Sequence, residues 1–327
     1  MVTKEGYVSL CYHYIRTSKE IERFPLILGI SEEEFQTQIS LLKKNYNIIS
    51  LNDVLKFSYS DYYLKNEKPS LLITFDDGLS DHYTAAKILH ENNIKGVFFI
   101  PTCILEENLP ANPMIIHYCI AIFGLKKFLE EFRNALAENK LDKKKFSIPY
   151  NHGKDDVWKT IKIIKSTFKY KIGFKSRKLL LQIYKNLLLD EFKDAMEVIH
   201  LTSGKIKKML KMGHFIGTHT HTHISVAANV LTEKDFKKEI IFPKNYLETN
   251  FNTSVYAFSY PFGERNDCLT TMELLKKTDA YKLAFTVKKI LNTKRTSPFE
   301  IGRYQPMSTD TATKLNMILT SIVKRAH

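Results

Sequence analysis

The chain has 327 residues, enough for one large domain or two small ones, and for a sizeable buried core. Hydrophobic residues make up 44% and charged residues 26%, which excludes a disordered or fibrous chain. The formal net charge is +14 at pH 7, so anionic partners are favoured over cationic ones. The four cysteines, Cys11, Cys103, Cys119 and Cys268, form no C-x-x-C pair, which argues against a disulfide framework and against a thiolate zinc site.

The first residues, MVTKEGYVSLCYHYI, lack the apolar core of a secretory leader. No apolar run approaches the ~20 residues that span a bilayer. A cytoplasmic location is therefore the expectation. Tyr7–Tyr12 (YVSLCY) is short, apolar and β-prone, and predicts a first strand ending at His13. Ser31 and Glu34 have the spacing of a capping box, and Phe35, Ile39 and Leu42 recur at helical spacing behind them. Ile48-Ile49 is a second short apolar run. Leu71–Phe75 (LLITF) is a continuous apolar run ending in Asp76-Asp77-Gly78, as a buried parallel strand would. Ser80 or Asp81 is placed to cap the helix that carries Ala85, Ile88 and Leu89. Gly96–Ile100 predicts a further buried strand, stopped by Pro101. Strand and helix thus alternate, which implies a parallel sheet with crossover helices.

The pattern changes over 105–210, which is long, Lys-rich and mostly helical in periodicity. Ile115–Leu136 and Lys178–Met196 are amphipathic, and Phe146–Val157, with Pro149, Asn151 and Gly153, reads as loop. This segment is expected to be an inserted helical subdomain, with 1–104 and 211–327 forming the main domain. Lys159–Lys178 holds eight basic residues and no acidic one. A solvated helical face is the plain reading; affinity for phosphate, anionic lipid or nucleic acid is the alternative. No nucleic-acid motif accompanies the charge, so a nucleic-acid partner is not expected.

Strand and helix return after the insertion. Phe215-Ile216-Gly217 leads into a histidine cluster. Thr232 is a cap for a helix running to about Leu247, which Pro243 should kink or break. Val255–Tyr260, Leu283–Val287 and Ile301–Tyr304 predict strands, and Met272–Lys277 a helix. The informative residues, His13, Asp76, Asp77, His219, Pro261 and Arg303, fall at strand C-terminal ends, where a parallel barrel gathers catalytic groups.

Two constellations carry chemistry. In Thr74-Phe75-Asp76-Asp77-Gly78, adjacent carboxylates repel in a partly dry site unless a cation offsets them. One can ligate a metal while the other stays free as a base. In His219-Thr-His-Thr-His223, the outer histidines face one way if the segment is helical and can grip one ion, with His221 pointing elsewhere. Asp77, His219 and His223 make a two-His, one-carboxylate set with open positions for water and substrate. Asp76 is then the base for the attacking water. Such a set suits one divalent cation, zinc first, with cobalt, nickel or manganese as alternatives.

At these residues the sequence resembles the polysaccharide deacetylase family, also called NodB-homology or carbohydrate esterase family four. Its T-F-D-D-G motif is matched in full at Thr74–Gly78, and its H-[ST]-x-x-H motif by His219, Thr220 and His223. The resemblance implies an α/β fold, a distorted (β/α)7 barrel, here with a long helical insertion. It implies Asp76 as catalytic base and Asp77, His219 and His223 as metal ligands. The third motif, R-x-P-[YF], is matched in Pro261 and Phe262, but Ser259 stands where Arg is usual. Arg303 is expected to brace Asp76 in its place, with Arg265 as second candidate. Tyr260, Pro261 and Phe262 are then the substrate and oxyanion segment, with the Phe262 N–H as donor. The family's late catalytic His is missing, and Tyr12-His13 resembles the permuted branch that carries it on the first strand. His13 is thus expected to protonate the leaving amine.

The expected activity is hydrolytic, metal-dependent N-deacetylation of an N-acetylated sugar in surface polysaccharide or glycan biosynthesis. The basic insertion favours a phosphorylated or lipid-linked substrate, with peripheral membrane contact or a dimer as other uses for it. An esterase, deformylase or other amidohydrolase on the same fold, or an inactive metal-binding module, are the rival readings.

Overall fold

A computed structural model describes residues 5–64, 67–150, 156–173, 175–229 and 232–325. Asn151 and Gly153 of the expected loop lie outside the described residues, and Phe146–Tyr150 beside them are non-helical. Nine strands occur among the described residues: β1 (Tyr7–Tyr12), β2 (Ile15–Arg16), β3 (Ile30–Ser31), β4 (Asn47–Ile48), β5 (Ser70–Phe75), β6 (Val97–Ile100), β7 (Phe215–Thr218), β8 (Ala257–Ser259) and β9 (Leu283–Phe285). Seven form one sheet in the order β1-β5-β6-β7-β8-β9, with β4 also on β5, and each of these pairs is parallel. Residues 301–304, expected as a strand, make single bridges instead. Ile301 pairs with Phe285 of β9 and Tyr304 with Leu10 of β1. The Tyr304 N–H donates to Ser9 O, and the Cys11 N–H to Tyr304 O, both at 2.8 Å. The sheet is thereby curled from its last strand back to its first, with helices outside, as the barrel expectation requires.

Burial explains the continuous apolar runs. β1, β5, β6, β8 and β9 are buried at every residue, because a parallel strand is covered on both faces. Along β5, Leu71, Ile73 and Phe75 pack in the larger core under the helices, while Leu72 joins Val97, Phe99, Phe285 and Ile301 in the barrel interior. Period two then aims Thr74 and Asp76 inward as well.

Several local expectations are corrected. Ser31 caps the helix Glu32–Asn45, but Glu34 does not close the box; its carboxylate accepts from the Ala312 N–H at the start of a C-terminal helix, Ala312–Arg325. Asp81 precedes the helix His82–Glu91 without capping it, because its carboxylate accepts the Ile15 N–H at 3.0 Å. Pro243 does not break its helix. A π-helical turn over Lys237–Ile241 widens the spiral just before Phe242–Phe251, where the missing proline N–H is no loss. Met272–Lys277 extends to Arg265–Thr278.

The described residues of the insertion are mostly helical. Asn112–Glu138 bends at Gly124, whose φ of +79° few other residues adopt readily. Lys178–Met196 divides into Lys175–Ile183, a π-helical turn Tyr184–Leu189 and Ala195–Ile199. Phe128, Phe132, Phe168 and Leu180 of the insertion share a core with Ile73, Phe75 and Phe98 of the sheet. Its end is fastened to the turn after Asp77: the Ser80 N–H donates to Ile199 O at 3.0 Å and the Leu201 N–H to Gly78 O at 2.9 Å. Among the described residues no helix is long and apolar enough to cross a membrane.

Candidate active site and metal centre

The C-terminal ends of β1, β5, β7 and β8 open into a cavity of about 580 Å3 that His13, Asp76, Asp77, His219, His223 and Phe262 line together. Asp76 and Asp77 both face it because Asp77 has a φ of +82°, which undoes the usual alternation after the strand. Thr220, His223 and Phe262 also have φ near +60°. Four non-glycine residues in this sparsely populated region, three of them lining the cavity and Thr220 bonded to one of those three, mark backbone strained for side-chain placement.

The histidine cluster is not the helical turn its spacing suggested. His219 follows β7 directly, and the bend after it, through Thr220 and His223, folds the second ring against the first at 4.5 Å and 90°. The His223 N–H donates to Thr220 Oγ1 at 2.9 Å. His221 does point elsewhere, with Nε2 3.1 Å from Glu107 and Nδ1 2.9 Å from the Thr102 hydroxyl. Buried Glu239 anchors the bend by accepting the N–H groups of His221 and Thr222 at 3.1 and 3.0 Å.

Asp77, His219 and His223 bring their ligand atoms within 4.8 Å of one another. His223 Nε2 lies 2.9 Å and His219 Nε2 3.4 Å from Asp77 Oδ1, a buried oxygen that makes no hydrogen bond. The His219 Nδ1–H donates to the Ser259 carbonyl at 2.8 Å, which leaves its Nε2 lone pair directed at the carboxylate. Two imidazole nitrogens converging on an unsatisfied carboxylate oxygen fit one divalent cation. A second group, Glu106, Glu107 and His221, also has ligand spacing, but Arg177 already holds Glu107 at 2.8 Å.

Asp76 is gripped differently. Arg303, fully buried, donates to Oδ1 at 2.8 Å and to Oδ2 at 2.7 Å, and the Ser259 hydroxyl donates to Oδ2 at 2.9 Å. Arg303 also bonds Thr74 Oγ1, Ser259 Oγ and the Thr286 carbonyl. Its guanidinium carbon lies 5.5 and 5.7 Å from the Phe99 and Phe285 rings, so the barrel interior itself seats the cation. Burial alone would raise the Asp76 pKa; the Arg303 charge, then His219, hold it below the ordinary carboxylate range. Ser259, the departure from the family pattern, is the small residue beside which Arg303 reaches Asp76. Arg265 opens the helix Arg265–Thr278 and is exposed.

His13 is half-buried, its Nε2 3.9 Å from Asp77 Oδ2. The Gln305 amide nitrogen lies 3.3 Å from its Nδ1. His82, whose pKa burial pushes down to about 4, donates from Nε2 to the His13 carbonyl at 2.9 Å. Tyr260 and Pro261 do not line the cavity: the Tyr260 hydroxyl is drawn off by the Phe299 carbonyl at 3.0 Å. Phe262 does line it, its ring 5.0 Å from His223. The sequence offered no signal for Gln305, His82 or Glu239, which act through contacts distant along the chain.

A family model described as polysaccharide deacetylase matches residues 188–282, a span containing His219–His223 and Ser259–Gly263 but not Thr74–Gly78. No curated protein matches the chain. Among solved structures, it is similar to the Streptococcus pyogenes deacetylase PplD in complex with acetate, at 17% identity and a TM-score of 0.60, over 96% of this chain and 98% of that one. It is similar to IcaB from Ammonifex degensii at 17% identity and a TM-score of 0.56, over 97% and 98%. A de-N-acetylase from Aggregatibacter actinomycetemcomitans gives 16% identity and a TM-score of 0.56, over 96% and 99%. The fold is that of these deacetylases.

Proposed function

From a chain of the polysaccharide deacetylase kind, by its domain match and its fold, we propose a metal-dependent hydrolase that removes the acetyl group from an N-acetylated amino sugar. The observation that carries the reading is the pairing of two differently tuned carboxylates, Asp76 clamped by Arg303 and Asp77 at the focus of His219 and His223. Acetate in the PplD structure supports acetyl as the acyl group.

Asp77, His219 and His223 would hold the cation, zinc or another divalent ion. When bound, it supplies Lewis-acid polarisation of the amide carbonyl and makes water more acidic. Asp76 is ionised throughout the working range, because Arg303 holds its pKa low, and it accepts the proton of the attacking water. Arg303 and Ser259 keep its two oxygens in one orientation. The Phe262 N–H, on backbone with φ of +66°, is the donor assigned to the developing oxyanion. His13 lines the cavity with Nε2 near Asp77; the protonated ring gives its Nε2 proton to the leaving nitrogen as the C–N bond breaks and is left neutral. The products are acetate and the free amine, in glycan synthesis or remodelling.

The test is acetate release from an N-acetylglucosamine oligomer, a nucleotide N-acetylamino sugar and a simple acetyl ester, each with added zinc and with chelator. Chelator-sensitive release from an amino sugar supports the reading. Release from the ester alone would make the chain an esterase, and release unaffected by chelator would remove the metal from its chemistry.

A further inference from the structure

The basic run of the insertion does not act as one unit. Lys169 is sequestered: its Nζ lies 2.6 Å from the buried Asp267 carboxylate and 4.2 Å from the Phe262 ring centroid. Lys162 and Lys165 share the helix Val157–Ser166, line the same cavity as Asp77 and His13, and make no ion pair among the described residues. They stand three residues apart, hence on one helix face. Lys165 is exposed to solvent yet has protein around it, because it lines the cavity wall. Burial holds its pKa below the ordinary lysine range, and Asp77 is the charge that works against that burial. The cavity's own acidic groups are Asp76, Asp77 and exposed Glu264. The first is neutralised by Arg303 and the second is committed to the metal centre.

We propose that Lys162 and Lys165 form an anion subsite in the wall of the active-site cavity, which reads a phosphate ester on the sugar being deacetylated. This rests on the deacetylase reading above and narrows its substrate to a phosphorylated amino sugar, over a neutral internal unit of a polymer. Two flexible ammonium groups that both line the cavity gain when a dianion binds them, and they belong to the insertion, whereas the residues assigned to the acetyl group belong to the barrel. A soluble sugar phosphate and a lipid-linked sugar present the same phosphate to these lysines.

The experiment compares the wild-type chain, the double variant K162Q/K165Q and the control K171Q. Each is titrated calorimetrically with N-acetylglucosamine 1-phosphate, and assayed for acetate release from that compound, from a short-chain lipid-pyrophosphate N-acetylglucosamine and from a neutral N-acetylglucosamine trimer. The expected result is a tenfold or greater loss of sugar-phosphate affinity in K162Q/K165Q alone. KM on the phosphorylated substrates rises equally, while turnover of the trimer is unchanged. Activity on the lipid-linked compound but not the soluble one would identify the source of the phosphate. Equal binding by the wild-type and double-variant chains, an equal loss in K171Q, or no binding by any, overturns the proposal. If no substrate releases acetate but binding follows the expected pattern, the deacetylase reading fails while the anion subsite stands.

Discussion

Asp76 and Arg303 meet although they stand 227 positions apart in the chain, and the energetics of that meeting are testable. Removing one member of a buried, bidentate pair costs about 3–5 kcal/mol, because the other charge is left without a partner. Arg303→Met should therefore lower the stability of the metal-free chain by that order in urea unfolding. Added zinc should recover part of the loss, since a cation at Asp77 also neutralises Asp76. Asp76→Asn keeps the shape but cannot accept a proton. It should retain zinc by elemental analysis and lose turnover by roughly 10²–10⁴-fold. Normal turnover in that variant would end its assignment as base. The linkage has a definite sign. The folded pKa of Asp76 is depressed, so its contribution to stability is present above the unfolded carboxylate value and is lost as pH falls through the folded one. The stability gap between wild type and Asp76→Asn should thus be full at neutral pH, begin to narrow below about pH 4 and go on narrowing until the pH falls below the folded value. Asp76, Asp77, His219 and His223 were legible in sequence because each sits in a short contiguous motif. Arg303 was reachable only as a candidate, since nothing local to it announces a partner so far away.

At the scale of elements, the strands place the chemistry and the bends aim it. Continuous apolar runs made β1, β5 and β6 readable, because parallel strands are buried on both sides. The histidine bend was not readable as a bend: a two-His spacing fits a helix equally well, and only positive φ at Thr220 and His223 decides the matter. The same holds for the π-helical turn before Pro243 and for the displaced cap at Asp81, where a tertiary partner overrides the local preference. Gly217 shows how tightly the bend is set. A Cβ there would sit 2.5 Å from the Phe99 ring and 2.8 Å from the Ala257 carbonyl, so β7 could not keep its place between β6 and β8. Gly217→Ala should destabilise the fold by about 1–3 kcal/mol, as overpacking does, and weaken zinc affinity through His219. Glu239 separates the two effects. Glu239→Ala leaves two buried N–H groups unpaired without touching the sheet. It should reduce zinc affinity while the zinc-saturated variant keeps most of its turnover. Equal losses of turnover at saturating zinc would give Glu239 a role beyond holding the bend.

For the whole molecule, the open matter is whether the insertion is a separate body or a wall of the same one. The sequence showed a change of pattern at 105 and a return at 211, and a reader of pattern alone separates the two regions there. The packing joins them. Insertion side chains such as Phe128, Phe132 and Leu180 lie in one core cluster with Phe75 and Phe98 of the sheet. Ile199 and Leu201 are hydrogen-bonded to the turn that carries Asp77, and Lys169 reaches Asp267 of the barrel. A subdomain that shares its core cannot melt while the other part stays folded, because exposing one face of the cluster exposes the other. Calorimetry of the metal-free chain should therefore give a single transition, with calorimetric and van't Hoff enthalpies equal. Lys169→Ala should lower that one transition as a whole by breaking the buried pair with Asp267. If instead a low-temperature peak splits off and moves alone in Lys169→Ala, the insertion is an independent unit and the shared core does not couple it to the barrel. A single peak would make the cavity wall as rigid as the barrel, and an anion bound to Lys162 and Lys165 would then be held in fixed relation to Asp76.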